Sequence, residues 1–146
     1  MVLLKSVTVF ILWLLSFGAY AEIYENYSCE ISNSNGSQRA IKFTVIPKSS
    51  AICLNGDCNA PNRIALNESA IWDEGTDFSN VATLEEFDMH GFRFSGLAYA
   101  FKTNELVYST EVIFNSETLM LYESTIGYLS SGEVELKFEG VCKLIE

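Results

Sequence analysis

Near the C-terminal end, Val134, Leu136, Phe138, Gly140, Cys142 and Leu144 alternate with Glu133, Glu135, Lys137, Glu139 and Lys143. A period of two puts the first set on one face of a β-strand and the charged set on the other. No helix can hold this pattern, because 3.6 residues per turn would smear both sets around the whole surface. The same apolar alternation, punctuated by turn residues, recurs over 92–101, 106–114 and 118–128, with Thr103-Asn104, Asn115-Ser116 and Ser130-Ser131-Gly132 between the runs. Connections this short join antiparallel neighbours, so the last third of the chain reads as a four-stranded meander.

The N-terminal part repeats the signal. Tyr27, Cys29 and Ile31 alternate with Ser28, Glu30 and Ser32, a turn follows at Asn33-Ser34-Asn35-Gly36, and a second strand is expected over 39–46. Residues 59–90 are less regular. They hold seven acidic residues against Arg63 alone, and read as a strand or short helix around 64–72, a loop over 73–78, then a helical turn or short strand from Val81. The expected fold is mostly β: a small antiparallel meander forming a closed or nearly closed barrel, with a compact sandwich as the alternative and at most one or two short helices.

Residues 1–21 carry Lys5, an apolar run from Val7 to Leu15, and the small-residue pattern Ala19-Tyr20-Ala21. This is the layout of a cleaved secretory signal, and nine apolar residues fall short of the roughly 20 that span a bilayer. The mature chain is therefore expected at 22–146, as one domain with no integral membrane segment, periplasmic or extracellular.

In that compartment the four cysteines are read as two disulfides. Cys53 and Cys58 flank Leu54-Asn55-Gly56-Asp57, and Asn-Gly supplies the positive φ angles of a tight turn. That pair becomes a loop staple and leaves Cys29 with Cys142, both on inward faces of terminal strands. A lone histidine and the lack of a second short-spaced pair leave a zinc tetrahedron incomplete. Four residues between Cys53 and Cys58 also miss thioredoxin-type spacing.

Other candidate chemistry is thin. His90 lies two residues from Asp88 without a nucleophile signature nearby. Asp73-Glu74 and Glu85-Glu86 could supply the two acids of a hydrolase, but nineteen acidic residues make such pairs commonplace. Asn55, Asp57, Asn59 and Asn62 resemble a calcium loop that lacks its closing glutamate. Asn26, Asn35 and Asn67 open glycosylation-acceptor triplets. No cofactor is expected.

Loss of Lys5 with the signal leaves eight basic against nineteen acidic residues, net −11, which repels nucleic acid and anionic membranes and attracts basic partners. The strands around 106–114 and 118–128 are apolar or aromatic on both faces. Either the 59–90 segment covers the second face, or that face binds something. The function expected from the sequence is a non-enzymatic binding module for a basic protein, in the manner of an inhibitor, or for a small ligand held near Tyr108, Tyr122 and Tyr128. A carboxylate-dependent hydrolase and a structural subunit of the cell envelope are the alternatives.

Overall fold

A computed structural model describes residues 21–59, 62–74 and 78–146. Apart from Ala21, the expected signal segment lies outside the described residues, as do Asp77 and the side chains of Asp73 and Glu74. Ten strands form one antiparallel sheet: β1 (Glu25–Ser32), β2 (Gln38–Ile46), β3 (Ala51–Leu54), β4 (Arg63–Ala65), β5 (Ser69–Glu74), β6 (Phe78–Asp88), β7 (Gly91–Ala100), β8 (Leu106–Asn115), β9 (Met120–Leu129) and β10 (Gly132–Ile145). Their spatial order is β4-β3-β2-β1-β10-β9-β8-β7-β6-β5. The only helical element among the described residues is a 3-10 turn at Pro47–Ser49.

The sheet curls into a nearly closed barrel, not a sandwich. The chain after β4 changes partners to close it: Asn67, at φ +64°, donates its N–H to the Leu84 carbonyl at 2.8 Å, and Leu84 donates back to Glu68 at 3.2 Å. A single segment thus pairs with β3 through β4 and with β6 through β5.

The 59–90 segment departs from its expected shape. It contributes β4, β5 and the eleven-residue β6 as members of the same sheet, so it does not lie as a layer over β8 and β9. Their outer face stays open, with Ile113 and Tyr122 directly paired on it and both exposed. The irregular period has a cause: between Leu84 and Glu86 the pairing with β7 shifts, so Glu85 and Glu86 together oppose Arg93. This β-bulge turns two consecutive glutamates outward before Phe87 returns to the core side.

Both disulfides join the expected cysteines, Cys29 with Cys142 and Cys53 with Cys58. Cys29 is the direct cross-strand partner of Cys142. The Cys142 N–H is turned the other way, toward the Leu119 carbonyl at 2.7 Å. The two cysteines therefore form a non-hydrogen-bonded pair, the kind whose side chains approach most closely. At the second bridge Asn55 and Gly56 have φ +58° and +72°, and Asp57 closes the turn on the Leu54 carbonyl at 3.1 Å. The strand partner of Cys53 is Arg63, not Cys58, so the bridge staples the loop ahead of β4. The pairings fit an oxidising compartment. Among the described residues no helix is long and apolar enough to cross a membrane.

One end of the barrel is filled by rings. Tyr27 stacks on Phe43 at 5.2 Å, and Phe43 meets Phe92 and Phe114 edge-on at 5.1 and 4.9 Å. Each contact of this kind adds about 1 kcal/mol beyond burial. At the start of the chain, Glu22 accepts from Arg63 at 3.0 Å, from the Tyr24 hydroxyl at 2.9 Å and from the Ser49 hydroxyl. Arg63 foremost, then Ser49 and Tyr24, lower the Glu22 pKa from 4.5 to about 2. A depressed carboxyl adds stability above its ordinary pKa and loses that contribution as pH falls toward the folded value. Glu22→Gln is therefore expected to flatten the fall in melting temperature between pH 4.5 and about 2, as a series of thermal melts would show.

Candidate functional site

Cross-strand register explains a void at the other end. Just beyond the ring cluster the inward row across β6 to β10 reads Leu84, Phe94, Val112, Glu123, Phe138, and is largely bulky. The next row reads Ala82, Gly96, Thr110, Thr125, Leu136, and the one after it Asn80, Ala98, Tyr108, Gly127, Val134. In the first of these rows small side chains stand side by side on four adjacent strands, and in the second Ala98 and Gly127 flank Tyr108, so the wall lacks the volume to fill the interior. The result is a cavity of about 760 Å³ whose inner end is formed by Phe43, Phe92, Phe94 and Leu121. It reaches the surface beside Leu129, Val134 and Leu136, which are 57%, 47% and 44% exposed.

A few polar groups converge on this apolar space. Arg39 lies on the inward face of β2, next to Ile31 of β1. Its guanidinium sits 5.0 Å from the centre of the Phe138 ring and reaches across to Glu123, donating through Nη2 to both carboxylate oxygens, at 2.6 Å to Oε1. Glu123 is 4% exposed. Burial pushes its carboxyl above the ordinary range, against the pull of Arg39 and of the Thr125 hydroxyl. Thr110 and Thr125 share a hydrogen bond of 3.0 Å, and the Tyr108 hydroxyl donates to Asn80 Oδ1 at 2.9 Å. An apolar sleeve with a cation, a carboxylate and several hydroxyls along one side suits a ligand that is mostly apolar and polar at one point.

The three tyrosines proposed from the sequence do not share a face. Tyr108 points inward and lines the cavity, whereas Tyr122 and Tyr128 stand on the outer face of β9, the latter within 3.2 Å of Ser109 Oγ. The register is the reason: Tyr108 pairs with Gly127, so even residues of β8 share a face with odd residues of β9.

The other candidate groups are accounted for by local contacts. His90 is exposed, its ring Nδ1 2.7 Å from Glu117 Oε1, and its backbone N–H donates to Asp88 Oδ1. Glu85 and Glu86 both engage Arg93 on the outer face, together with Glu111. The Asp57 carboxylate accepts from the backbone and side-chain amides of Asn59 and from the Asn62 amide. Those donors lower its pKa, the Asn59 N–H foremost, and this stretch is an Asx turn built around Asp57. Among the described residues no three His, Cys, Asp or Glu side chains gather as a metal site would require. Of the acceptor asparagines, Asn35 and Asn67 are exposed, and Asn26 Oδ1 is held by the Thr44 hydroxyl at 2.6 Å.

Reasoning from the sequence missed the cavity, Arg39 and Glu123. Thr110, Thr125 and Gly127, which line it, carried the signal, as small residues at inward positions of β8 and β9. Comparison with known proteins finds no family model, curated protein or solved structure that matches the chain.

Proposed function

We propose that this is an exported binding protein, working in the periplasm or outside the cell, whose barrel encloses a small ligand with a long apolar body and one polar end. The observation that carries the reading is the cavity of about 760 Å³, within the range of sites that enclose small molecules. The polar end would lie against Arg39 and Glu123, where a guanidinium and a carboxylate are already partly withdrawn from water and exchange partners at little further desolvation cost. Thr110, Thr125 and Tyr108 offer hydroxyls along the wall between that pair and the mouth. Encounter with a basic protein is a second reading, supported by the net charge near −11 and by the exposed Ile113, Tyr122 and Tyr128 of the outer face.

The test separates the two surfaces. Gly127 lies on the cavity wall, and a Cβ there would meet nothing closer than the Val134 carbonyl at 3.8 Å. A Cβ therefore fits on the strand, and Gly127→Phe projects a ring into the cavity and obstructs it. Binding of an anionic, apolar fluorescent dye is expected to weaken at least about tenfold, a loss of about 1.4 kcal/mol, with the melting temperature little changed. Alanine at Tyr122 and Tyr128 should leave dye binding as it was. The opposite pattern, sensitive outer tyrosines and an indifferent Gly127, would move the site to the outer face.

A further inference from the structure

We propose that the first half of β10 is a self-association edge, on which two copies of the chain pair antiparallel about Glu135 and join their sheets. β10 is longer than its neighbour. β1 reaches only as far as the Ser32–Glu139 pair, so Gly132 to Phe138 is paired with β9 alone. The direction of the free groups follows from parity. Cys142 donates its N–H to Leu119 on the β9 side, so even-numbered residues of β10 turn their backbone groups toward β9 and odd-numbered ones turn away. β1 meets Glu139, Val141 and Lys143. Glu133, Glu135 and Lys137 point their N–H and C=O groups along an edge that no described strand occupies.

Solvent-exposed edges are ordinarily guarded by proline, a bulge, brevity or an inward-facing charge. This one has none of the four. β10 runs fourteen residues, its register with β9 is unbroken from Gly132 to Val141, and the inward side chains Val134 and Leu136 are apolar and nearly half exposed. The outward charges Glu133, Glu135 and Lys137 are what blunts it, and the charge pattern gives Glu133 and Lys137 partners in a second copy.

A two-fold axis at Glu135 sets Glu133 against the second copy's Lys137, Lys137 against the second copy's Glu133, and Val134 against the second copy's Leu136. An axis at residue 134 would oppose Glu133 to Glu135. One at residue 136 would bring Glu133 to Glu139, whose backbone β1 already holds. Only the axis at Glu135 uses all three free residues. It does place the two Glu135 side chains opposite each other, and in each copy Lys137 Nζ lies 3.4 Å from Glu135 Oε1 to offset that repulsion. Because Val134 and Leu136 also line the mouth of the cavity, the second copy shields the entrance as well as the edge.

Sedimentation velocity on the exported protein with both disulfides formed, over a wide concentration range, tests this without any ligand. A concentration-dependent dimer is expected. Lys137→Glu turns two attractive cross-strand pairs into repulsive ones and should raise the dimer dissociation constant about tenfold or more. Glu133→Lys combined with Lys137→Glu should restore it. Glu135→Pro should abolish the dimer and leave the thermal melt intact, since its N–H faces away from β9. A monomer at every concentration, or a dimer indifferent to both Lys137→Glu and Glu135→Pro, would overturn the proposal.

Discussion

Gly140→Ala is expected to destabilise the domain by about 3 kcal/mol or more, a steep loss for a change of one methyl group. Gly140 sits opposite Ile31 where β1 crosses β10. A Cβ built on it would lie 1.9 Å from the Glu30 carbonyl oxygen and 2.8 Å from the Ile31 Cα. Those are backbone atoms, so no rotamer change relieves the clash; β1 itself must move away from β10. Two residues on, Cys29 and Cys142 hold the same strands together, which confines the displacement and raises its cost. By contrast, Gly36→Ala, in a turn where a Cβ would meet nothing within 4 Å, should cost little beyond the strain of its positive φ. Denaturant melts of the two variants, compared at equal slope, would measure the difference. A Gly140→Ala protein as stable as the parent would mean that the β1–β10 seam is looser than described.

Replacing Cys29 and Cys142 together with alanine should cost about 5 kcal/mol, the chain-entropy value for a crosslink that closes more than a hundred residues. The bridge spans a sequence separation of 113 and ties β1 to β10, the first and last of the described strands in chain order, so in the reduced unfolded chain nearly the whole domain is released. Small domains have only about 5 to 15 kcal/mol in total; the double variant should therefore be partly or wholly unfolded at physiological temperature. Removing Cys53 and Cys58 frees a separation of only 5 and should cost less, about 2 kcal/mol. Near-ultraviolet circular dichroism and urea melts of the two double variants give the comparison. The reverse ranking would show that the loop staple, and not the terminal bridge, holds the barrel.

The contrast between these two bridges was legible in the sequence, because parity along a strand is. Cys29 and Cys142 each fell on the apolar phase of a strictly alternating run, and Asn55-Gly56 marked the turn at the other pair. The four C-terminal strands were legible for the same reason, their bounds shifting by only a residue or two. The 59–90 region was not. β4 is three residues long, too short to show a period. β5 and β6 each contain a register shift, at Ile71 to Asp73 and at Leu84 to Glu86, that resets the alternation midway. A bulge looks, in sequence, like the end of a strand.

The site was obscured by a different limit. Periodicity assigns residues to faces within one strand, and the register between strands decides which faces coincide. Tyr108 and Tyr122 each stood on a recognisable face of its own strand, yet the turn between β8 and β9 sets those faces on opposite sides of the wall. Glu123 shares its inward face with Leu121, against the expectation that acids point to water. Its partner Arg39 lies 84 residues away in the chain, and it is the pairing of β1 with β10 that sets β2 close enough to β9 for the two to meet across the inner face.

The most direct test of a ligand-filled barrel is native mass spectrometry of the domain isolated from its natural source, before and after extraction with an organic solvent. A defined added mass that extraction removes is expected, after which the emptied protein binds the apolar dye and its Gly127→Phe variant binds it at least about tenfold more weakly. A bare polypeptide mass from that source, together with an emptied domain that takes up no dye, would contradict it.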